Sequence, residues 1–239
     1  MDASNSIKID ELKEKMYAYS SDEFEGRGTP SKGQQLAVEY LVDHYKNLGI
    51  PSVKNDSYLQ AVPLQLEDKP NISLNISNQK FIYYQDYISY ANGPDRNYDS
   101  VEIIFAGYGI DDPAYSDYLN IDVKNKIVVA IGGEPLDENE NYFINGNSKS
   151  KWSNSREEIG LKKSIAKNKG AQALILVDDY LFRRYKSRFQ YSDSGRGEKR
   201  MTLGNDEENN FQVLLFSEKH KNFFSKESLS LNMTFNKNI

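Results

Sequence analysis

The sequence predicts an α+β fold, in which a helical segment at the amino terminus is followed by a domain built mainly of β-strands. Apolar residues recur at helical spacing up to Ile50, and short apolar runs of strand type dominate from Pro51 onward. Between residues 126 and 177 a strand, a helix and a second strand follow one another, which indicates a crossover unit. We therefore predict a helical segment over residues 1–50 and a β-rich domain with flanking helices over residues 51–239.

The amino-terminal segment begins with a short predicted helix. Ile9, Leu12 and Met16 lie at helical spacing within Ile9–Tyr19. Residues 20–32 contain two glycines and a proline and are predicted to form a loop.

A second helix follows this loop. Ser31 is positioned as its N-cap, with Gln34 three residues later as in a capping box, and Gly49 is the expected stop. Its apolar stripe consists of Ala37, Leu41, Tyr45 and Leu48. A segment this short cannot hold a core by itself, so we expect another chain or the β-rich domain to cover the stripe.

The remaining elements are predicted from short apolar runs and from the glycine and proline residues that separate them. Strands are expected at residues 58–66, 72–76, 80–84, 87–90, 101–105, 126–131, 173–177, 211–216 and 229–235. Helices are expected at residues 155–168 and 219–224, and long polar loops at residues 136–153 and 183–210.

Composition limits the possible functions. The 239 residues suffice for a substantial core, and the net charge of -5 argues against a general nucleic-acid binder. The chain has no cysteine, which excludes disulfides, thiolate metal sites and a cysteine nucleophile. No run approaches the roughly 18 apolar residues that a membrane-spanning helix needs, so we expect no membrane span.

Candidate metal ligands are few. His44 and His220 are isolated in the sequence, whereas a zinc site needs three or four converging ligands. Asp137, Asn139 and Asn141 have the spacing that opens a calcium loop, but Tyr142 and Ser148 stand where that loop requires glycine and glutamate. We interpret residues 137–148 as a solvated loop, and the sequence leaves open whether an ion binds there.

Other local patterns have simpler interpretations. Gly107-Tyr108-Gly109 lacks the continuation of a nucleotide-binding loop. The acid pairs Asp178-Asp179 and Glu157-Glu158 are interpreted as solvated charges. Basic residues alternate with aromatic ones over residues 183–200, and we favour a solvated loop or a protein-contacting surface over a nucleic-acid patch.

Residues 21–50 resemble the amino-terminal segment of the co-catalytic zinc aminopeptidases, the peptidases related to glutamate carboxypeptidase II and the transferrin receptor. The resemblance rests on the charged turn of residues 21–30, on Gly33, and on the helix that ends at Gly49. In that family the segment precedes an inserted protease-associated (PA) domain. Looser likenesses to the PA domain lie at residues 105–110, 117–118, 122–129 and 161–177.

This resemblance implies a PA-like domain over residues 51–239 and a first piece of a split peptidase domain over residues 1–50. The family's zinc ligands lie in a catalytic core after the insert, and they include two histidines and several carboxylates. Because His44 and His220 do not lie in that setting, we interpret the chain as a fragment or truncated relative that comprises the part before the core, and we expect it not to hydrolyse peptides alone. Zinc is expected in the core and none in this chain.

The expected role is therefore that of an accessory region, which shapes substrate access or mediates protein contacts. Its expected partner is the peptidase core in cis, or else a peptide or protein; a homo-oligomer through the helix stripe is also possible. A free-standing protein or peptide interaction module is the alternative, and an independent hydrolase is a third hypothesis. The family also implies export to the periplasm or cell surface, with a signal peptide removed.

Two residues of the resembling segment are candidate cleft or interface residues. Glu25 and Arg27 flank Gly26 in a turn where Arg27 is able to bind a carboxylate with two hydrogen bonds. The loop would then line a substrate cleft or contact the catalytic core. A purely structural turn with an ion pair is the interpretation we favour at this stage.

Overall fold

The computed structural model describes residues 7–52, 57–91, 95–146, 148–197, 199–203, 211–225 and 229–236. Parts of two predicted loops lie outside them: Asn147 of the 137–148 loop, and Glu198 with residues 204–210 of the second polar loop. The chain divides into two compact units, residues 1–62 and 63–239, which we describe separately. The domain assignment made from the sequence stays a prediction. In the described parts of the chain, no helix combines the length and apolar character needed to cross a membrane.

The first unit contains α1 (Ile9–Tyr19), a 3-10 turn (Asp22–Arg27) and α2 (Lys32–Asn47). Both helices lie where the sequence predicts them. The Ser31 Oγ accepts a hydrogen bond of 3.1 Å from the Gln34 N–H, which confirms the predicted N-cap. Gly49 follows α2 with a φ of 69°, the left-handed conformation that ends many helices.

Three aromatic rings form the small core of this unit. Tyr19, Phe24 and Tyr40 contact one another with centroid separations of 5.6, 5.7 and 5.8 Å. Gly33 allows α2 to approach the turn, since a Cβ on Gly33 would lie 2.0 Å from the Phe24 carbonyl oxygen. Ala37 is buried beside this core.

The second unit contains twelve strands and three helices among its described residues. The strands are β1 (Leu64–Glu67), β2 (Asn71–Ile76), β3 (Gln79–Phe81), β4 (Tyr87–Ala91), β5 (Arg96–Phe105), β6 (Asp111–Asp112), β7 (Tyr115–Ser116), β8 (Ile127–Ile131), β9 (Ala173–Val177), β10 (Arg200–Leu203), β11 (Gln212–Phe216) and β12 (Leu229–Asn236). The helices are α3 (Glu158–Asn168), α4 (Asp179–Asp193) and α5 (Lys221–Phe224), with short 3-10 turns at Lys151–Ser153 and Glu218–His220.

Eight of these strands form one sheet in the order β3-β2-β12-β5-β8-β9-β11-β4. Its centre is parallel, because β5, β8, β9 and β11 run in the same direction. The strands on either side of this centre pair antiparallel. The sheet curls until its edges approach one another: Phe81 of β3 and Tyr87 of β4 both contact Phe216, with centroid separations of 5.4 and 5.3 Å.

The alternating side chains of the central strands build a core on each face of the sheet. Helices α3 and α4 cover one face, where Ile159 and Phe182 pack with Val128 and Leu174. Inside the curl, Val129 and Ile175 pack with residues of β2, β12 and α5. The β8–α3–β9 connection joins parallel neighbours, which confirms the predicted crossover unit.

The coarse prediction of a mixed helix and sheet fold is confirmed, while a PA-like identity stays a prediction. The loop predicted over residues 183–210 is wrong in two places: residues 183–193 belong to α4, and residues 200–203 form β10. Leu181, Phe182 and Phe189 are the buried residues of α4, and they lie among basic side chains that lower the average hydropathy of the segment. The strand expected at residues 58–66 is shorter in the structure and begins at residue 64, as β1, which pairs with β10.

Candidate functional site

The turn that carries Glu25 and Arg27 is held by contacts within the first unit. Glu25, Gly26 and Arg27 all have positive φ values of 47°, 72° and 60°. The Arg27 guanidinium donates a hydrogen bond to the Tyr19 carbonyl oxygen at the end of α1, and it lies 4.7 Å from the centroid of the Tyr19 ring. Arg27 therefore binds a backbone carbonyl and an aromatic ring, where the sequence interpretation expected a carboxylate.

Glu25 is exposed and Arg27 is half-buried. The contacts of Arg27 explain how it closes the end of α1, because a guanidinium satisfies a carbonyl left without an intrahelical partner. A cleft or interface role for the two residues stays a prediction.

A partly enclosed polar arrangement lies at the carboxyl ends of β8 and β9. These strands end side by side, with Ile131 opposite Val177. Gly132 and Gly133 follow β8, and Asp178 follows β9. Above these ends lies a cavity of about 510 Å³, which we call the strand-end cavity. The lining side chains that matter to its charge and shape are Glu134, Tyr142, Lys149, Glu158, Asp178 and Tyr180.

A buried ion pair forms the floor of this region. The Lys162 Nζ lies 2.7 Å from the Glu158 Oε1, and the two side chains are 0% and 4% exposed. Lys162 also donates to the carbonyl oxygens of Ile131 and Gly133, at 2.9 and 2.8 Å. These three bonds match the three hydrogens of an ammonium, so Lys162 has no donor left for a ligand.

Glu158 links α3 to the turn after β8. Its Oε1 also accepts a hydrogen bond of 2.6 Å from the Gly133 N–H. Burial raises the pKa of the Glu158 carboxyl and lowers the pKa of the Lys162 ammonium, because both charged forms lose hydration. No described residue hydrogen-bonds to Oε2 of Glu158, although the residue is only 3% exposed and lines the cavity.

Two further carboxylates line the strand-end cavity. Both oxygens of Glu134 accept hydrogen bonds from Ser150, one from its N–H and one from its hydroxyl, each at 2.7 Å. The Asp178 Oδ1 caps α4 through the Leu181 N–H at 2.6 Å. Its Oδ2 lies against Gly132, where a Cβ would approach within 1.9 Å.

The interpretation of the acid pairs as solvated charges is therefore wrong for three of the four residues. Glu158 is buried and ion-paired, and Asp178 caps a helix. Asp179 accepts hydrogen bonds from the Glu218 N–H and the Ser217 hydroxyl. The signal that could have identified the buried pair is the i, i+4 spacing of Glu158 and Lys162 around an apolar helix face, directly after a strand that ends in two glycines.

Neither histidine belongs to the strand-end cavity. His44 lies on α2, half-buried, in the first unit. His220 packs against the Phe81 and Phe216 rings, and its Nε2 lies 3.1 Å from the Asp86 Oδ1. Among the residues that the structure describes, no group of three or more His, Asp or Glu is arranged to hold a metal ion.

The 137–148 loop uses its first carboxylate to close a turn. The Asp137 Oδ1 accepts hydrogen bonds from the N–H groups of Asn139 and Asn141, both at 2.8 Å. The hydrogen bond from the Asn141 N–H, together with that from Asn139, lowers the pKa of Asp137 and outweighs the opposing effect of desolvation. This is the pattern of an Asx turn, which accounts for the Asp and Asn spacing without an ion.

Asp117 fills the turn of Gly107-Tyr108-Gly109. Its Oδ2 accepts hydrogen bonds from the N–H groups of Tyr108 and Ile110, at 3.1 and 3.0 Å. A Cβ on Gly107 would lie 2.2 Å from the Asp117 Oδ1. The N–H donors of this turn are thus used by a side-chain carboxylate of the same chain.

The basic and aromatic residues of α4 are divided between core and solvent. Phe189 is buried, and Tyr185 packs on Tyr90 with a centroid separation of 4.7 Å. Arg183, Arg184 and Arg188 are exposed. Tyr185 and Phe189 are therefore engaged in packing, whereas Tyr180 and Tyr191 are exposed rings of the same helix.

Comparison with known proteins finds no matching family model and no matching curated protein. Among solved structures, the fold is similar to BSAP, a zinc aminopeptidase from Bacillus subtilis, with a TM-score of 0.40 and 12% identity over 92% of this chain and 42% of that chain. A second structure of BSAP gives a TM-score of 0.39 with 11% identity over 92% of this chain and 43% of that one.

A third similar structure is Apa1, a psychrophilic subtilisin-like protease from the Antarctic psychrotroph Pseudoalteromonas sp. AS-11. Its TM-score is 0.38, with 13% identity over 73% of this chain and 35% of that chain. This chain thus spans about two fifths of the length of the aminopeptidase it matches, 42%. At TM-scores this low the similarities establish neither a shared family nor a shared activity.

Proposed function

We propose that this chain is a non-catalytic accessory region of a zinc-dependent aminopeptidase, and that it shapes substrate access or mediates protein contacts. The observation that carries the proposal is the apolar surface of the helical first unit, part of which lies in residues 21–50, the segment whose sequence resembles that peptidase family. The residues concerned are Ile9, Leu12, Met16, Leu41, Tyr45 and Leu48, between 40% and 71% exposed.

The core of this unit is very small. Phe24, Gly33 and Ala37 are its buried residues among those described, and α1 has none. Burying one large apolar side chain contributes ~1.5–3 kcal/mol. A protein surface that covered three or four of the exposed side chains would therefore stabilise the unit substantially. This is the behaviour expected of the first piece of a larger domain.

The polar groups of the second unit also fit an accessory role. Lys162 donates all its hydrogens to Glu158 and two carbonyl oxygens. Asp117 and Asp137 close turns with their carboxylates. These are side chains of types that otherwise act as bases or ligands, and here they hold the fold together.

Two experiments test the proposal: sequencing of the natural gene, and deletion of the second unit from the protein that this gene encodes. We expect the reading frame to encode a downstream core with a His-x-Asp motif and further acidic ligands. In that long form, deletion of residues 63–239 should change kcat/KM for longer peptides relative to aminoacyl p-nitroanilides, while the zinc content stays constant. Loss of zinc on deletion, or an unchanged substrate preference, contradicts the accessory role.

A free-standing protein or peptide interaction module is the second candidate. The β1–β10 ribbon favours it, because Leu64 pairs with Leu203 and Leu66 with Met201 on one face, and all four are partly exposed. A reading frame without a peptidase core supports this candidate over the first.

A further inference from the structure

We propose that the strand-end cavity, lined by Glu134, Glu158, Asp178 and the rings of Tyr142 and Tyr180, binds a small ligand through a primary ammonium group. The site lies wholly within the second unit, and the proposal does not depend on the accessory role proposed above.

The position and size of the cavity are those of a ligand site. It lies outside the carboxyl ends of the parallel strands β8 and β9, where ligands of open α/β sheets bind. Its volume of about 510 Å³ lies within the range of roughly 300–1,000 Å³ that is typical of small-molecule pockets. A short peptide terminus or a diamine fits such a space.

The charge of the lining favours a cation. Three carboxylates line the cavity, whereas Lys162 is the buried ammonium beneath it and Lys149 is an exposed lysine at its wall. With all of these groups ionised, the lining carries a net charge of about -1, so an anionic ligand is disfavoured. Lys162 has already used its three donors, so it does not compensate an added anion.

Glu158 supplies the specific acceptor. Its Oε1 binds Lys162 and the Gly133 N–H, while its Oε2 has no partner among the described residues, in a side chain that is 4% exposed. Because Glu158 lines the cavity, this oxygen is available to accept a hydrogen bond from a ligand N–H. Asp178 presents a second acceptor, because only its Oδ1 is used in capping α4.

A primary ammonium suits this arrangement better than a metal ion. An ammonium needs two or three acceptors at hydrogen-bond distance. A metal ion requires three or four converging ligands, and no group of three or more His, Asp or Glu converges in this way within the described ranges. The rings of Tyr142 and Tyr180 line the same cavity and are able to contact a cation through their faces.

The experiment is a titration of the full chain with two ammonium probes, putrescine and glycyl-alanine amide, followed by calorimetry and by amide chemical shifts. We expect at least one probe to bind, with shifts centred on Gly132, Gly133 and Ser155, and N-acetylglycyl-alanine amide not to bind. Binding of the dipeptide alone identifies a peptide amino terminus, and binding of putrescine alone identifies an alkylamine. If neither probe binds, or the acetylated peptide binds equally well, the proposal is wrong.

The matched variants are Asp178→Asn and Asp179→Asn, which remove the same charge at adjacent positions. Asparagine also caps helices well, so Asp178→Asn keeps the α4 cap while neutralising the cavity carboxylate. We expect Asp178→Asn to weaken binding about tenfold, as for the loss of one charge-assisted hydrogen bond, and Asp179→Asn to leave it unchanged. Equal affinity in the two variants overturns the proposal.

If Asp178→Asn fails to fold, Tyr180→Ala provides the second test. Tyr180 is exposed, so its truncation should leave the fold intact. Weaker binding of the ammonium probes supports the site, and unchanged binding together with unshifted Gly133 and Ser155 amides refutes it.

Discussion

Replacement of Lys162 by methionine should be among the most destabilising single changes in the second unit. The substitution keeps the helix propensity and much of the side-chain volume, but it removes the hydrogen bonds to Ile131, Gly133 and Glu158. It leaves the Glu158 carboxylate uncompensated in a site where burial already raises its pKa. Breaking one partner of a buried ion pair costs about 3–5 kcal/mol, and we expect a loss of that size.

The assay is urea unfolding followed by circular dichroism, with the free energy of unfolding extrapolated to water. Lys167→Met is the matched control, because Lys167 lies on the same helix and is exposed; its change should stay within about 0.5 kcal/mol.

A double-mutant cycle separates the ion pair from the other bonds. In Glu158→Gln/Lys162→Met the uncompensated carboxylate is absent, so the double variant should lose less free energy than the sum of the single variants. Additive losses of unfolding free energy, or a Lys162→Met variant as stable as the Lys167→Met control, would show that Lys162 does not stabilise the fold by compensating the buried Glu158 carboxylate.

Three further predictions concern the two units. Gly33→Ala should disrupt the packing of α2 in the first unit, because its Cβ would lie 2.0 Å from the Phe24 carbonyl oxygen. Gly28→Ala is the control and should be tolerated, because nothing lies within 4 Å of its Cβ. The helical signal in circular dichroism compares the two variants. Burial tends to raise the pKa of Asp86, but its hydrogen bonds and its cationic neighbour Lys219 outweigh burial and hold the pKa below its usual value. The stabilisation from the ionised carboxylate is therefore present above the usual aspartate pKa and is lost as the pH falls through the lowered pKa. The unfolding free energies of the wild type and of Asp86→Asn, measured against pH, should converge at low pH. If the exposed apolar stripe of α2 mediates self-association, Leu48→Ser should lower the mass measured by analytical ultracentrifugation, and an unchanged mass excludes that surface.

The sequence predicted most elements of the fold because their signals are local. The Ser31 cap, Gly49 and the alternation of Ile72, Leu74 and Ile76 depend on neighbours along the chain. The order of strands in the sheet does not depend on neighbours along the chain, because β12 inserts between β2 and β5 through long-range pairing.

The site was harder to predict because its chemistry depends on tertiary contacts. By their i, i+4 spacing alone, Glu158 and Lys162 look like an ordinary surface pair; they are buried because α3 packs over the end of β8. Arg27 lies in the predicted turn, but its partner is a carbonyl at the end of α1, which no sequence spacing reveals.

The most direct test of the accessory role is a combined measurement of zinc content and aminopeptidase activity on the purified chain. Zinc content is measured by mass spectrometry after dialysis against a buffer that contains zinc. Aminopeptidase activity is measured as the hydrolysis of leucine p-nitroanilide. If the chain is a non-catalytic accessory region, we expect substoichiometric zinc and no hydrolysis above the buffer rate. Stoichiometric zinc together with hydrolysis that a chelator abolishes would contradict it, and would establish an independent hydrolase.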